Sequence, residues 1–355
     1  MPHKRLFIPG PTEVRSENLS ALARPQIGHR SADFRELYAR VNSKLKKLLS
    51  TECHVFLFTC SSTGVWEAAI RNCVNERVLC CMQGAFSDRW FKVAESNGKP
   101  AAQLKVEWGR AITAEAVDGE LSSGRYDAIT VVHNETSTGV MNRLDEIAEV
   151  MRKYPDVIFT VDAVSSMAGA PLAVDELGID ICLAGLQKAF SLPAGLAIAS
   201  ISPKAIEKAR KIENRGYYFD FLEMLKYDER NQTPSTPAIP QIFALDAQLD
   251  AILAEGIEQR FARHAGLADI VRDWGRRHFE LFSEEGYESP TVSCIKNTTG
   301  FSVADLNKEL GAQYAMISNG YGVLKEKTFR IGHMGDTQEW EIRGLLATID
   351  RILDH

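Results

Sequence analysis

The chain is more easily bounded by what it lacks. No stretch of its 355 residues stays apolar for the roughly 18 positions that suggest a membrane-crossing helix. The opening Met1-Pro2-His3-Lys4-Arg5-Leu6-Phe7-Ile8-Pro9 has no long apolar core of the kind a secretory signal carries, and Ile352-Leu353-Asp354-His355 is not a Ser-Lys-Leu peroxisomal signal. There is no excess of positive charge. Lys and Arg number 41 against 47 Asp and Glu, a net charge of −6, so nothing favours nucleic acid or an anionic membrane. The seven cysteines show no zinc spacing, and Cys53, Cys60 and Cys73 fall near apolar segments while Cys80 and Cys81 are adjacent. That usage reads as reduced thiols in a cytoplasmic protein rather than a disulfide framework. No Gly-x-Gly-x-x-Gly follows the first strand, which argues against a dinucleotide-binding protein. Internal repeats and low-complexity linkers are absent too.

What is present is a regular alternation. Val55–Phe58, Val78–Met82, Ala128–Val132, Ile158–Val161, Ile181–Ala184 and Leu196–Ile201 read as short apolar strands. Val65–Cys73, Asp88–Asn97 and Leu144–Tyr154 read as helices between them. Uninterrupted apolar strands alternating with helices mean an α/β fold, with a mainly parallel sheet covered by helices on both faces. After Pro240 the rhythm changes. A long helical stretch runs from Gln241 to about Phe282 with a break at Gly256, and a last helix spans Glu339 to Leu353. This predicts a large domain over 21–250 and a smaller C-terminal α/β domain over 251–355, with residues 1–20 packing near the small one.

The chemistry centres on Asp162 and Lys188, 26 residues apart. Asp162 ends one predicted strand and Lys188 lies just past the next. In open α/β sheets ligands bind outside the carboxyl ends of the strands, so an acid and an amine reach the same rim. Pyridoxal phosphate needs that pair: a lysine for a Schiff base with its aldehyde, and a carboxylate opposite its pyridine nitrogen. Their bland alternatives are a helix-capping Asp and a solvated Lys. Thr59-Cys60-Ser61-Ser62-Thr63-Gly64 follows a strand and opens a helix, where free N–H groups and the helix dipole bind a phosphate. An ordinary Ser/Thr cap would look the same.

Five segments in order complete a pattern: Ile8-Pro9-Gly10-Pro11-Thr12, Thr59 to Gly64, Glu135-Thr136-Ser137-Thr138-Gly139, Val161-Asp162-Ala163-Val164-Ser165-Ser166 with Gln187-Lys188, and Phe329-Arg330-Ile331-Gly332. The chain thereby resembles the class V aminotransferases of pyridoxal phosphate fold type I, in the branch of phosphoserine and serine–pyruvate or alanine–glyoxylate aminotransferases. The resemblance implies that Lys188 is both Schiff-base partner and general base, and that Asp162 pairs with the pyridine nitrogen. Ser62, Thr63, Gly64 and Gln187 would hold the cofactor phosphate. Phe86, where relatives carry Trp and cysteine desulfurases carry His, would stack on the ring. Thr136 would donate to the phenolic oxygen, and Arg330 would clamp the substrate carboxylate. Thr233 and Thr236, in Gln232-Thr233-Pro234-Ser235-Thr236-Pro237, would reach the partner's cofactor phosphate across a homodimer. His29 and Arg30 would bind a substrate phosphate. Each segment has a plainer reading as core, turn or Pro-rich loop. The implied reaction moves an amino group between a small amino acid and a 2-oxo acid. O-Phospho-L-serine with 2-oxoglutarate, a step of serine biosynthesis, is the leading pair. Serine–pyruvate or alanine–glyoxylate transamination is the alternative. A cysteine desulfurase would need a cysteine on a mobile Gly/Ser-rich loop, which Cys294 lacks.

Overall fold

A computed structural model describes residues 3–354. Its large sheet has seven strands in the order His54–Phe58, Ala197–Ile201, Ile181–Gly185, Ile158–Asp162, Ala128–Val132, Val78–Met82, Ala101–Lys105. Ala197–Ile201 runs antiparallel to both neighbours, and the other strands share one direction. Five of the strands are buried at every residue.

Side chains of successive strand residues point to opposite faces. Val55, Leu57, Leu79, Ile129, Phe159 and Ala184 therefore belong to the core on one face, with the helices Ala32–Leu49 and Ile239–Glu255. Phe56, Phe58, Cys80, Ala128, Ile158 and Leu183 belong to the core on the other, with Ser62–Cys73, Ala85–Ser96 and Pro203–Arg210. Burial on both faces is why these strands are apolar without alternation.

The second sheet runs Arg5–Phe7, Ala315–Asn319, Thr328–Gly332, Val292–Lys296, Glu280–Leu281. Its first strand comes from the N-terminal segment and pairs parallel to Ala315–Asn319. Trp274, Phe279, Phe329 and Ile342 fill the core beneath it, under the helices Ile257–His278, Val303–Ala312 and Glu339–Leu353. The long helical stretch does break at Gly256, whose φ of 91° suits a residue without Cβ. The helix expected to start at Asp88 begins earlier, at Ala85, because a buried Glu135 side chain satisfies its first amides. The helix after Arg143 stops at Met151, short of Tyr154.

Phe329 is fully buried and packs edge-on to Trp274 and Phe279, one residue before Arg330. Phe329→Ala should cost about 3–5 kcal/mol, read as a lower midpoint in denaturant unfolding. A loss below about 1 kcal/mol would mean the core re-forms around the cavity.

Candidate active site

Asp162 is the last residue of its strand, and Lys188 lies three positions past the end of the neighbouring one. Asp162 is buried. Its Oδ2 accepts from Trp66 Nε1 at 2.7 Å and its Oδ1 from the Val164 amide at 2.7 Å. Burial pushes the carboxyl up to about 7; the two hydrogen bonds pull the other way and recover only part of that rise. Lys188 is also buried. Loss of water, with the Arg330 cation nearby, brings its amine down to about 8 against the pull of Asp162 and Glu135. Its Nζ donates to the carbonyl of Pro9.

The N-terminal segment is strapped over this lysine. Thr12 donates from its amide to Gln187 O at 3.1 Å and from its hydroxyl to Lys188 O at 2.9 Å. Gly10 has a φ of +108°, and a Cβ there would lie 2.6 Å from Lys188 Cδ. A Cβ on Gly332 would lie 2.4 Å from Ile8 O, so both sides of the strap need glycine to close.

Ser62 opens the helix Ser62–Cys73, and its hydroxyl is buried without a hydrogen-bond partner. Gly185 lies beneath it: an added Cβ would meet Ser62 Oγ at 2.4 Å and Gln187 Oε1 at 2.7 Å. The missing side chain lets Ser62 and Gln187 converge over the strand end, with Thr63 beside them. Gly64 departs from its expected role. Its amide already donates to Ser61 O at 2.9 Å, and an added Cβ would lie 2.9 Å from both Cys60 Sγ and Phe219 Cζ. Gly64 makes room for packing and does not line the cavity.

The far wall depends on Glu135. Its buried carboxylate accepts from the Ser87 amide at 3.0 Å, the Ser87 hydroxyl at 3.1 Å and the Ser137 hydroxyl at 2.6 Å. It sits at the N-terminus of Ala85–Ser96, where a negative charge is favoured, and it fixes Phe86 in the wall. Lys188 Nζ is 6.0 Å from the Phe86 ring centroid. Thr136 shares a 2.6 Å hydrogen bond with Ser165 Oγ. Arg330 is held behind Thr136, donating to Thr136 O at 3.2 Å and twice to Asn319 O at 3.2 and 3.1 Å. Its guanidinium lies 5.4 Å from the Tyr321 ring centroid. A cavity of about 390 Å³ is lined by Ser62, Trp66, Phe86, Thr136, Asp162 and Lys188 among others, while Arg330 and Tyr321 stand behind its wall and do not line it.

His29, Arg30, Thr233 and Thr236 stand apart from it. Arg30 donates to Thr233 O at 2.6 Å and Pro234 O at 2.9 Å, and stacks 4.8 Å from the Tyr227 ring centroid. Thr233 is buried with its hydroxyl on Ser235 O at 2.8 Å, whereas Thr236 is exposed. Within one chain none of the four lines the Lys188 cavity. Trp66 and Arg89 line the cavity, and Ser165 and Tyr321 contact Thr136 and Arg330 at its wall; the sequence assigns none of these, nor Glu135, a role. Trp66 carried a signal, since it lies one helical turn after Ser62 and so on the same face.

A buried amine, a buried carboxyl and a helix N-terminus around one cavity define a site for an aldehyde cofactor with a pyridine ring and a phosphate. The residues fit that group: the unpartnered Ser62 hydroxyl waits at the phosphate end, and two donors hold the Asp162 carboxyl opposite. The sequence profile described as Aminotransferase class-V matches residues 13–333. The L-aspartate–glyoxylate aminotransferase of Paracoccus denitrificans is 36% identical over 98% of this chain and 90% of its own. The serine–glyoxylate aminotransferase of Methylorubrum extorquens is 32% identical over 96% of this chain and 89% of its own. The crystal structure of a phosphoserine aminotransferase from Cytophaga hutchinsonii superposes with a TM-score of 0.89 at 27% identity, covering 99% of each chain. The chain belongs to the class V aminotransferases. It is a transaminase, and its cofactor is pyridoxal phosphate.

Trp66→Phe removes one donor to Asp162 and keeps the ring stacked 5.7 Å from Trp90. A hydrogen bond to a charged group is worth about 1.5–3 kcal/mol, so pyridoxal phosphate affinity at neutral pH should fall about tenfold or more. Unchanged affinity by equilibrium dialysis would remove Trp66 from the cofactor's support. Gly10→Ala should prevent the strap from seating and lower cofactor incorporation; full incorporation would show that Lys188 moves aside.

Proposed function

We propose that this enzyme transfers the amino group of a small amino acid to glyoxylate or pyruvate, with serine and alanine among its donors. The convergence of Asp162, Lys188 and the unpartnered Ser62 hydroxyl on one cavity carries the catalytic part of this reading. The similarity to two glyoxylate-using relatives at 36% and 32% identity supports the acceptor, where a phosphoserine enzyme stands at 27%. Arg30, the residue that would read a phosphate, lies outside the Lys188 cavity within one chain, which also favours the glyoxylate branch over phosphoserine.

Pyridoxal phosphate supplies an aldehyde that takes the amino group and a ring that accepts the electron pair left at the substrate's α-carbon. In this reading Lys188 Nζ would hold the cofactor's aldehyde carbon, and as a free amine it would carry the substrate's α-proton. Burial lowers its amine to about 8, which gives it a larger neutral fraction near neutral pH than an ordinary lysine has. Asp162 would pair with the ring nitrogen, whose positive charge would favour the carboxylate form. Ser62, Thr63 and Gln187 would hold the phosphate, Phe86 would cover the ring, and Thr136 would donate beside it. Arg330, with no carboxylate within ion-pair distance among the described residues, holds the substrate's α-carboxylate. Thr236, exposed beside Thr233, would contact a partner's site in a homodimer.

Capture of pyridoxal phosphate by the apoprotein should rise with pH through about 8 and level off above it, because the neutral amine is the nucleophile. A limb near the ordinary lysine value of 10.5 would mean that burial does not act on Lys188. Steady-state assays with serine, alanine and phosphoserine against glyoxylate and pyruvate test the substrates. Phosphoserine should not exceed the best unphosphorylated donor in kcat/KM. A tenfold advantage for phosphoserine would return the enzyme to serine biosynthesis.

A further inference from the structure

One guanidinium lies wholly inside the protein. Arg260, near the start of the helix Ile257–His278, is 1% exposed. Its Nη1 meets Glu255 Oε2 at 2.8 Å and Asp336 Oδ1 at 3.1 Å, which balances the buried charge. Its other bonds are to main-chain carbonyls. Nε donates to Ala168 O at 2.9 Å and Nη2 to Ala189 O at 2.7 Å. Ala168 belongs to the segment that leaves the sheet after Asp162, and Ala189 directly follows Lys188. Ala168 has a φ of 65°, and Ser191, whose amide donates to Lys188 O at 2.8 Å, has a φ of 52°. A residue with a Cβ keeps that left-handed conformation only where its surroundings fix it. Gly169 lets the two segments close up, since a Cβ there would lie 3.1 Å from Ala189 Cβ. The Asp336 amide secures the other side of the turn, donating to Ser191 Oγ at 3.0 Å. Arg260 itself does not line the Lys188 cavity.

We propose that Arg260 is a positioning residue for the reaction: by bonding Ala168 O and Ala189 O at once, it fixes the separation between the Asp162 carboxyl and the Lys188 amine. The inference rests on the roles given above to Asp162 and Lys188, and goes beyond them to what sets their spacing. A pyridine ring is rigid, so its nitrogen and the aldehyde carbon across the ring stand a fixed distance apart. A carboxyl and an amine that serve the two ends need the same constancy, and a misplacement of about 1 Å can cost about a hundredfold in rate. The sheet alone does not supply it. Asp162 lies within its strand, but Lys188 lies beyond the end of its own, in a turn outside the ladder. A guanidinium has five donors in one plane and can meet two carbonyls and two carboxylates together; a lysine ammonium has three donors and no such fork.

The test compares Arg260→Lys with Arg263→Lys, each of which keeps its charge. Arg263 also pairs with Glu255, at 2.7 Å, but its carbonyl partners are Thr337 O and Gly335 O rather than Ala168 O and Ala189 O. Denaturant midpoints report the stability of both. Holoenzyme is mixed with serine or alanine, and the change in cofactor absorbance is followed through a single turnover. The rate at saturating donor should fall about a hundredfold in Arg260→Lys, and less than about threefold in Arg263→Lys. The half-saturating donor concentration should stay within about threefold in both, because Arg330 keeps its bonds. The apoproteins give a readout independent of turnover. Pyridoxine 5′-phosphate has an alcohol in place of the aldehyde, so the tighter binding of pyridoxal 5′-phosphate reports on Lys188. Arg260→Lys should shrink that ratio of affinities about tenfold or more. Gly169→Ala wedges the same two segments apart with Arg260 intact and should reproduce both losses, which keeps the test decisive if Arg260→Lys does not fold. Equal rate losses in Arg260→Lys and Arg263→Lys, in step with their midpoints, would overturn the proposal and leave Arg260 a structural ion pair. Wild-type rates and affinity ratio in Gly169→Ala would overturn it as well. A wild-type cofactor band that no amino donor changes would overturn the roles of Asp162 and Lys188, and the proposal with them.

Discussion

Everything in the site depends on removing two ionisable groups from water on adjacent strands of one sheet. Asp162 and Leu183 are register partners, and Lys188 follows that second strand by a few residues. Burial moves the two groups toward each other, the carboxyl up to about 7 and the amine down to about 8. Neither value follows from mutual pairing, since Asp162 bonds Trp66 and Val164 while Lys188 reaches Pro9. The sheet can bear this cost because helices cover it on both faces and the strands are apolar throughout. Water on either face would return both groups toward ordinary values and make the neutral amine far scarcer at neutral pH.

The second sheet turns that pair into a closed site. Its first strand brings the segment 8–12 across Lys188, and its third strand carries Arg330 to the back of Thr136. In the proposed reading the substrate-facing groups come from both sheets, while the groups that would face the cofactor come almost entirely from the first. Cofactor binding and substrate choice can therefore vary separately in a fold of this kind. The same division explains why a phosphoserine enzyme and glyoxylate enzymes share the architecture.

Glu135 shows how much can hang on a residue that reads as loop. It has no place in the reaction proposed here, yet it holds the first turn of the Ala85–Ser96 helix through main-chain and side-chain donors. Gly84 must lack a side chain to admit it, because a Cβ there would lie 2.4 Å from Glu135 Cγ. Phe86 and Arg89 both ride on that turn. An aromatic wall and a cation at the mouth are therefore set by one buried carboxylate.

The sequence by itself determined the sheet, because doubly buried strands must be apolar at every position and that run is visible in Val78–Met82, Ala128–Val132 and Ile181–Ala184. It also determined Asp162 and Lys188 as neighbours, because both sit at strand ends of a parallel sheet and the fold brings all such ends to one rim. The helix break at Gly256 and the last helix were legible for similar local reasons. The antiparallel course of Ala197–Ile201 was not, since an apolar strand buried on both faces reads the same in either direction. Arg89 was also hidden, as its partner Tyr321 lies 232 residues away in the chain, and the bond from Trp66 to Asp162 spans 96 residues although the helical position of Trp66 was legible. Only the tertiary structure decided which hydroxyl is left unpaired, which glycine makes room and which guanidinium is already taken. Those outcomes depend on distances of a few tenths of an ångström between segments that residue type and spacing do not encode.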